Sequence, residues 1–305
     1  MSNPVAEVIS ALTSPVTYLI DIISKGIGVL YEPHRIKKEA DAVAYKINKI
    51  SQVISDNGNE SIEYNDNNLI INNYGSQLYN NTIARFVHLE LQREINIEKI
   101  ADKAYDILLE KTQQLTETVS QDWIFKFITS AQDISEETIQ TLWAKILANE
   151  ILKPNSFSLR TLNVLKNMSK NDALLFEKIC SCIINNDFVP NELSILKKYG
   201  ITYKDIVSLD EYGLVNSSGT AVTNFNITTT NKMLFKNDLW ICAANNPSKI
   251  SLLCFPLTNV AKEIKSIINI DINEKFLLEY AQKIRDDNPK SQIVLYKKDV
   301  ETKYQ

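Results

Sequence analysis

The chain has 305 residues, a net charge of -4 and a pI near 5.4. At about 150 residues per domain this length predicts about two domains, and the acidic balance argues against a general nucleic-acid binder. Glycine is scarce, at 7 of 305 residues or about 2% where an average protein has about 7%, which disfavours Gly-rich phosphate loops and favours helices.

Residues 4–31 form the most hydrophobic stretch, in which Pro15 is expected to begin a helix. Asp21 and Lys25 interrupt the stretch, so it falls short of the ~18 apolar residues of a spanning helix. Residues 33–49 follow with five basic and two acidic side chains, a net charge of +3. An apolar stretch before a basic one is typical of a membrane-surface element, whereas the alternative is a core or oligomer-forming helix followed by a solvated basic helix. The candidate membrane or oligomer contacts are Leu19, Ile20, Ile23, Ile27, Leu30, Arg35, Lys37 and Lys38.

Residues 55–80 are rich in Asn, Asp and Ser, which favour turns over helices. We expect an exposed linker with a short strand at Leu69–Ile71. It separates an N-terminal apolar and basic helical segment, residues 1–54, from the main body.

Residues 81–190 are predicted to form a helical bundle, because apolar residues recur there at helical spacing. The clearest helix covers 133–151, with a stripe from Ile139 to Leu147. Ser169 and Asp172 have the spacing of a capping box. The residues expected at helix N-caps are Asn96, Ser135, Ser158 and Ser169.

Residues 191–305 are predicted to form a smaller α+β domain of winged-helix-like arrangement, so the fold class is mainly α. Ser208 is expected to begin a helix that ends near Gly213, and strands are expected at Leu239–Ala243 and Ile250–Phe255. Thr258 is expected to cap a further helix. A helix over 191–199 has only Lys197 and Lys198 to read DNA, so protein contact is favoured over base recognition.

The chain offers few residues for catalysis. The two histidines, His34 and His88, have no evident partners, and no nucleophile elbow occurs. Gly26 and Gly28 lack the third glycine of a dinucleotide motif and are better explained by a bend or a close helix approach. The four cysteines lack metal-ligand spacing, and the absence of a secretory signal favours a reduced cytoplasmic setting. We therefore predict no catalytic residue, no metal and no cofactor.

Residues 153–170 carry a net charge of +4 with no acidic residue. Ser156, Ser158 and Arg160 at a helix start form a candidate anion-binding group, because free N–H groups converge there. The alternative is that Ser158 caps its own helix and Arg160 pairs with an acid such as Glu150.

Within residues 122–180, the sequences DW at 122–123, QDIS at 132–135, LWAKILA at 142–148 and SFSLRTL at 156–162 resemble bacterial domain-of-unknown-function family 2806. Residues 26–42 and 254–264 also match the general layout of that family. Asn155 and Ala261 stand where the family often has glycine. The resemblance implies no assigned enzyme activity.

The single helix that contains LWAKILA is also similar to one in Abi-alpha-type abortive-infection proteins, which implies a role in phage defence. We therefore expect a non-enzymatic bacterial defence or stress protein, a helical scaffold that oligomerises or meets a membrane. A nucleic-acid-binding regulator that uses the winged-helix-like domain is the alternative. The expected partners are a second copy or another protein and a membrane surface, with nucleic acid disfavoured. The expected location is cytoplasmic, extending to the periphery of the inner membrane.

Overall fold

The computed structural model describes residues 14–34, 61–65, 68–72, 77–185, 187–228, 233–234, 239–243, 248–271, 273–297 and 300–304. By its internal contacts the chain divides into two compact units, Met1–Lys166 and Asn167–Gln305. The described residues contain ten α-helices, one two-stranded hairpin and two small antiparallel sheets. The fold is therefore mainly α with a smaller α+β region, which confirms the predicted fold class.

Unit 1 is built from helices, with one hairpin. The strands β1 and β2 pair in antiparallel register with Ile62 opposite Ile71, so the strand expected at Leu69–Ile71 is part of β2. Helix α5 runs across the division between the units. The elements are α1 (Pro15–Ile27), β1 (Ser61–Asn65), β2 (Asn68–Asn72), α2 (Gln77–Leu109), α3 (Gln121–Ala131), α4 (Glu137–Leu152) and α5 (Leu159–Asn167).

Helix α1 begins at Pro15, as predicted, and the Ser14 side chain caps it by accepting the backbone N–H of Thr17. Gly28 ends it at a φ of 77°, a left-handed conformation that glycine adopts without strain. Gly26 brings α1 close to α3, because a Cβ at this position would lie 2.1 Å from Cδ1 of Ile128. The expected close helix approach is thus confirmed.

The core of unit 1 is aromatic at its centre. Trp123 stacks on Phe127 at 5.2 Å between ring centroids, and Phe127 meets Trp143 edge to face at the same separation. The indole N–H of Trp123 donates to the carbonyl of Phe157 at 2.8 Å, which ties the loop before α5 to α3. Helices α1, α2 and α4 contact one another around this centre.

Two predicted N-caps of unit 1 are wrong. Asn96 lies inside α2, because its amide donates to the carbonyl of Gln132 at 2.9 Å instead of capping a helix. The cap of α4 is Glu136 and not Ser135, since the backbone N–H of Ile139 donates to Oε2 of Glu136 at 2.9 Å. A longer acidic side chain at this position also suits the positive end of the helix dipole.

Unit 2 begins with a winged-helix-like order of elements. A helix, a short strand, two helices and a strand follow in sequence, and the third strand of the antiparallel sheet β3-β7-β4 comes only after β5 and β6. The strands β5, β6, β8 and β9 form a second sheet in that order. The elements are α6 (Lys170–Cys180), β3 (Phe188–Pro190), α7 (Leu193–Lys198), α8 (Tyr203–Glu211), β4 (Ala221–Ile227), β5 (Met233–Leu234), β6 (Leu239–Ala243), β7 (Ser248–Pro256), α9 (Asn259–Lys265), α10 (Glu274–Asp287), a 3₁₀ turn (Pro289–Ser291), β8 (Ile293–Lys297) and β9 (Val300–Tyr304).

Helix starts in unit 2 follow side-chain caps. The predicted capping box of Ser169 and Asp172 is present at α6, and Thr258 caps α9 as predicted. The predicted start at Ser208 is wrong, because α8 begins at Tyr203 behind a capping box of Thr202 and Asp205. Each of these starts therefore follows a local signal that spans four residues.

The two strands predicted at 239–243 and 250–255 are both present, as β6 and within β7. They lie in different sheets, since β6 pairs with β5 and β8 whereas β7 pairs with β3 and β4. Strand pairing of this kind depends on partners far along the chain, which the local pattern does not contain.

Candidate functional site

The first half of α2, residues 77–90, has no buried side chain among those described, and we call it the exposed half. Where side chains are described in this half, none is buried, and the first buried side chain of the helix is Leu91. Leu78 is 77% exposed, Phe86 is 64% exposed and Leu89 is also exposed. Large apolar side chains in such numbers on one short segment indicate an interaction surface.

A groove of about 440 Å³ lies beside the exposed half. The end of α1, the helix α2 and the helix α3 form it, and its apolar floor includes Ile27, Leu91 and Ile128. Val29, which is half exposed, and Phe86 stand at its edge. An apolar floor with a few charged side chains at the border is the form of groove that receives an amphipathic helix or another apolar segment.

Arg93 marks the boundary between the exposed half and the rest of α2. Its Nη1 lies 2.7 Å from Oε1 of Glu90, and its Nε lies 2.8 Å from Oδ1 of Asp133 in the turn after α3. These contacts fix the guanidinium at the groove border. Further along α2, Lys103 reaches Glu137 at the start of α4 at 3.1 Å.

A polar cluster on α2, centred on the buried Asp102, holds the chain that follows α1. The hydroxyl of Tyr31 and the backbone N–H of His34 each donate to Oδ1 of Asp102 at 2.8 Å. The imidazole of His34 lies with Nε2 3.0 Å from Oδ1 of Asp106 and edge-on to the ring of Tyr105. His34 adopts a φ of 59°, a left-handed conformation that a non-glycine residue adopts only where its surroundings hold it.

Sequence reasoning missed this cluster, since His34 was expected to have no partner. Glu98, Asp102 and Asp106 recur every four residues along α2, a spacing that places three carboxylates on one side of a helix. That spacing was the available signal. Burial, and then the charge of Asp102, raises the pKa of Tyr31 far above its ordinary value, so the phenol remains a neutral donor.

The structure separates the predicted membrane or oligomer contacts into three groups. Leu19 and Ile23 are fully buried, so both belong to the core of unit 1. Ile20 and Ile27 are half-buried, and Leu30 is exposed. Arg35, Lys37 and Lys38 lie outside the described residues.

The candidate anion-binding residues make hydrogen bonds of their own. The Ser158 hydroxyl accepts the backbone N–H of Thr161 at 3.4 Å, and the Ser156 hydroxyl donates to the carbonyl of Lys153 at 2.6 Å. The side chain of Arg160 is exposed. These contacts agree with the alternative in which Ser158 caps its own helix.

Glu150 clamps the loop that leads to α5. Its carboxylate is buried and accepts the backbone N–H groups of Asn155 at 2.6 Å and Phe157 at 2.9 Å. Asn155 has a φ of 66°, which lies in the left-handed region. Glycine adopts this conformation without strain, so it would also suit this position. Several of the residues that carry the resemblance thus build this loop.

Other reactive groups are buried or dispersed. Within the described residues, no three His, Cys, Asp or Glu side chains are placed to hold a metal ion. Burial raises the pKa of the Cys182 thiol to about 11, which keeps it protonated near neutral pH. Cys180 and Cys254 are also buried.

The winged-helix part of unit 2 has an acidic third helix. In α8, Lys204 stands against Asp205, Asp210 and Glu211, a net charge of -2. Asp205 belongs to the capping box of this helix, and the side chain of Asp210 accepts the backbone N–H of Ser217. In winged-helix DNA binders this helix enters the major groove, where a negative charge is unfavourable.

None of the helices in the described part of the chain is both long enough and apolar enough to cross a bilayer. Helix α1, the most apolar of the predicted N-terminal elements, has 13 residues, fewer than the ~20 of a spanning helix.

Comparison with known proteins gives one result. Residues 80–195 match the model of a family described as "Protein of unknown function (DUF2806)". No curated protein and no solved structure gives a significant match to the chain. The matched segment contains residues 122–180, on which the resemblance was predicted, whereas residues 26–42 and 254–264 lie outside it. The predicted resemblance is confirmed for this segment: residues 80–195, from the exposed half of α2 to the start of α7, match the DUF2806 family model.

Proposed function

We propose that the chain is a non-enzymatic helical scaffold of a bacterial phage-defence or stress response, and that it acts by association through unit 1. The observation that carries the proposal is the apolar surface formed by the exposed half of α2 and the adjoining groove. Phe86 belongs to both parts, being 64% exposed and at the groove edge.

The polar residues of unit 1 support a scaffold role because their contacts maintain the fold. Asp102 holds the turn after α1, and Glu150 holds the loop before α5. Carboxylates that accept backbone N–H groups in the interior rigidify a fold. Phage defence is supported by the similarity of the helix at 142–148 to Abi-alpha-type proteins, a similarity of one helix whose residues are mostly buried.

Membrane contact is the second way in which such a scaffold could act. The buried apolar face of α1 is part of the core, so lipid contact would fall to Val29, Leu30 and the basic residues that follow. A deletion of residues 1–50 is a poor test of this idea, since it also removes Leu19 and Ile23 from the core. Single substitutions of exposed residues are better.

The test compares two phenylalanines of unit 1 that have nearly equal exposure. Phe86 is 64% exposed beside the groove, and Phe125 on α3 is 61% exposed and is not part of the groove lining. Bacteria that express the full chain, Phe86→Glu or Phe125→Glu are challenged with a panel of phages, and plating efficiency is measured. We expect protection by the full chain and by Phe125→Glu, and loss of protection in Phe86→Glu. Equal protection by all three chains, or no protection by any, would contradict the proposal.

A nucleic-acid-binding regulator is the second candidate, and the winged-helix order of unit 2 is the observation in its favour. The negative charge of α8 opposes it. Retention of the purified chain on a heparin or duplex DNA column at low salt, with steep loss as salt rises, would support this candidate. Absence of retention at low salt would remove it.

A further inference from the structure

One face of α2 is apolar along the helix but is covered only in its second half. Leu78, Phe86 and Leu89 are separated by eight and three residues, a spacing that places them on one side of a helix. The same side continues into Ile97 and Ile100, which are fully buried. The exposed residues therefore extend a face that already packs in the core of unit 1.

Among the described residues, strand β2 and the end of α1 contact α2, but the turn between α3 and α4 meets this face only from Arg93 onward. Asn96, on the same face, donates to Gln132 in the turn before α4, and Arg93 reaches Asp133 in the same turn. Helix α2 has 33 residues and α4 has 16, so their lengths are about 50 Å and 24 Å at about 1.5 Å per residue. Because α4 is about half as long as α2, it can cover only one half of the α2 face. The half that it covers is the second one.

The area of this face suits an interface between two copies. The exposed parts of Leu78, Phe86 and Leu89, together with Val29 at the groove edge, amount to roughly 450 Å² if a whole large side chain contributes about 200 Å². Two copies that bury the same surface would remove about 900 Å², close to the lower limit of a specific interface before any polar residue is counted.

The charge of the exposed half favours a second copy over a lipid surface. Residues 77–90 contain one basic residue, Arg85, one acidic residue, Glu90, and one histidine, His88. A neutral surface carries no net repulsion toward its own copy. A helix that lies on an anionic membrane instead needs a polar face rich in Lys and Arg, and residues 77–90 contain no lysine.

We propose that the exposed half of α2 pairs with the exposed half of a second copy of this chain. The pairing is isologous, so that each copy contributes the same face and Phe86 lies near the centre. This inference rests on the proposed scaffold function and names the partner of its surface as the chain itself.

The test measures the native mass of the full-length protein by sedimentation over a wide range of concentrations. We expect a dimer of twice 34.7 kDa that dissociates on dilution. Phe86→Glu and Leu89→Glu should weaken the dimer by about tenfold or more, as expected for residues at the centre of an interface. Phe125→Glu, with nearly the same exposure, should leave the dimer unchanged.

A second measurement tests whether both copies use the same face. Phe86→Glu and Phe86→Lys should each be mainly monomeric, and an equal mixture of the two should regain the dimer because opposite charges then meet. If the parent chain is a dimer but the mixture of the two variants stays monomeric, the isologous pairing is overturned. Circular dichroism of each variant verifies that the helices are intact.

The outcomes separate this inference from the scaffold proposal. A parent chain that remains monomeric at every concentration would overturn the inference, even if Phe86→Glu still abolished phage protection through another partner. Binding of the monomer to anionic lipid vesicles, lost in Phe86→Glu, would also overturn it by assigning the face to lipid. Loss of phage protection in Phe125→Glu as well, with an intact dimer, would instead weaken the scaffold proposal.

Discussion

The two halves of α2 belong to one continuous helix, yet they have opposite surroundings. In the second half, apolar residues such as Ile100 and Leu108 are fully buried, and even Asp102 is 4% exposed. In the first half, Leu78 and Phe86 face solvent. Both halves contain large apolar residues, so composition alone does not separate a core helix from an interaction surface. The neighbours that reach each half make the difference.

The largest expected effect comes from one substitution made in both halves. Leu108→Ala removes a fully buried side chain and should lower the free energy of unfolding by about 2 to 5 kcal/mol, because a cavity remains. Leu78→Ala, at a 77% exposed position, should change it by no more than about 0.5 kcal/mol. Urea unfolding followed by circular dichroism measures both. Equal losses in the two variants would show that the exposed half is covered.

A smaller effect should distinguish two acidic residues on the same helix. Asp102→Ala leaves the Tyr31 hydroxyl and the His34 N–H without their buried acceptor and should cost about 2 to 3 kcal/mol. Glu90→Ala removes an exposed partner of Arg93 and should stay near experimental error. The same urea experiment applies, with Asp102→Asn as a control that keeps one carbonyl oxygen. If Asp102→Ala proved as mild as Glu90→Ala, the cluster would not hold the turn.

The smallest effect appears only at alkaline pH. The pKa of Tyr31 is raised in the folded chain, mainly by burial and then by Asp102, so folding favours the neutral phenol. The stability that this provides is complete below the ordinary tyrosine pKa near 10.0 and is lost as the pH rises above it, where only the unfolded chain releases the proton. Tyr31→Phe should reduce the decline of unfolding free energy above pH 10 by up to about 1.4 kcal/mol per pH unit. Unfolding curves over this range in the parent and the variant measure it, and identical slopes would contradict the assignment.

Local sequence signals predicted several elements correctly. The start of α1 at Pro15, the capping box of Ser169 and Asp172 and the cap of α9 at Thr258 were all predicted, because each depends on residues within one helical turn. The winged-helix-like order was predicted only in outline, since β3 and β4 were not among the predicted strands and β6 belongs to the other sheet. The resemblance to the DUF2806 family was also predictable, because its motifs at residues 122–162 lie within the matched segment.

Other features depended on contacts between distant residues. Asn96 has the side chain of an N-cap, but its amide reaches Gln132, and the helix therefore continues through it. His34 has no partner nearby in sequence, yet it meets Asp102 and Asp106 some 70 residues away. The apolar pattern of α1 suited a lipid surface and a core equally well, because both environments select the same spacing of Leu and Ile.

The sequence by itself determined the helical character of the chain, many of its helix starts and its family segment, since these follow from periodicity, caps and short motifs. Only the tertiary structure decided which apolar residues are core and which are surface. Leu19 and Ile23 are fully buried, whereas Leu78 and Phe86 are exposed. Burial is a property of the neighbours a side chain meets, and for this chain those neighbours come from segments far apart in sequence.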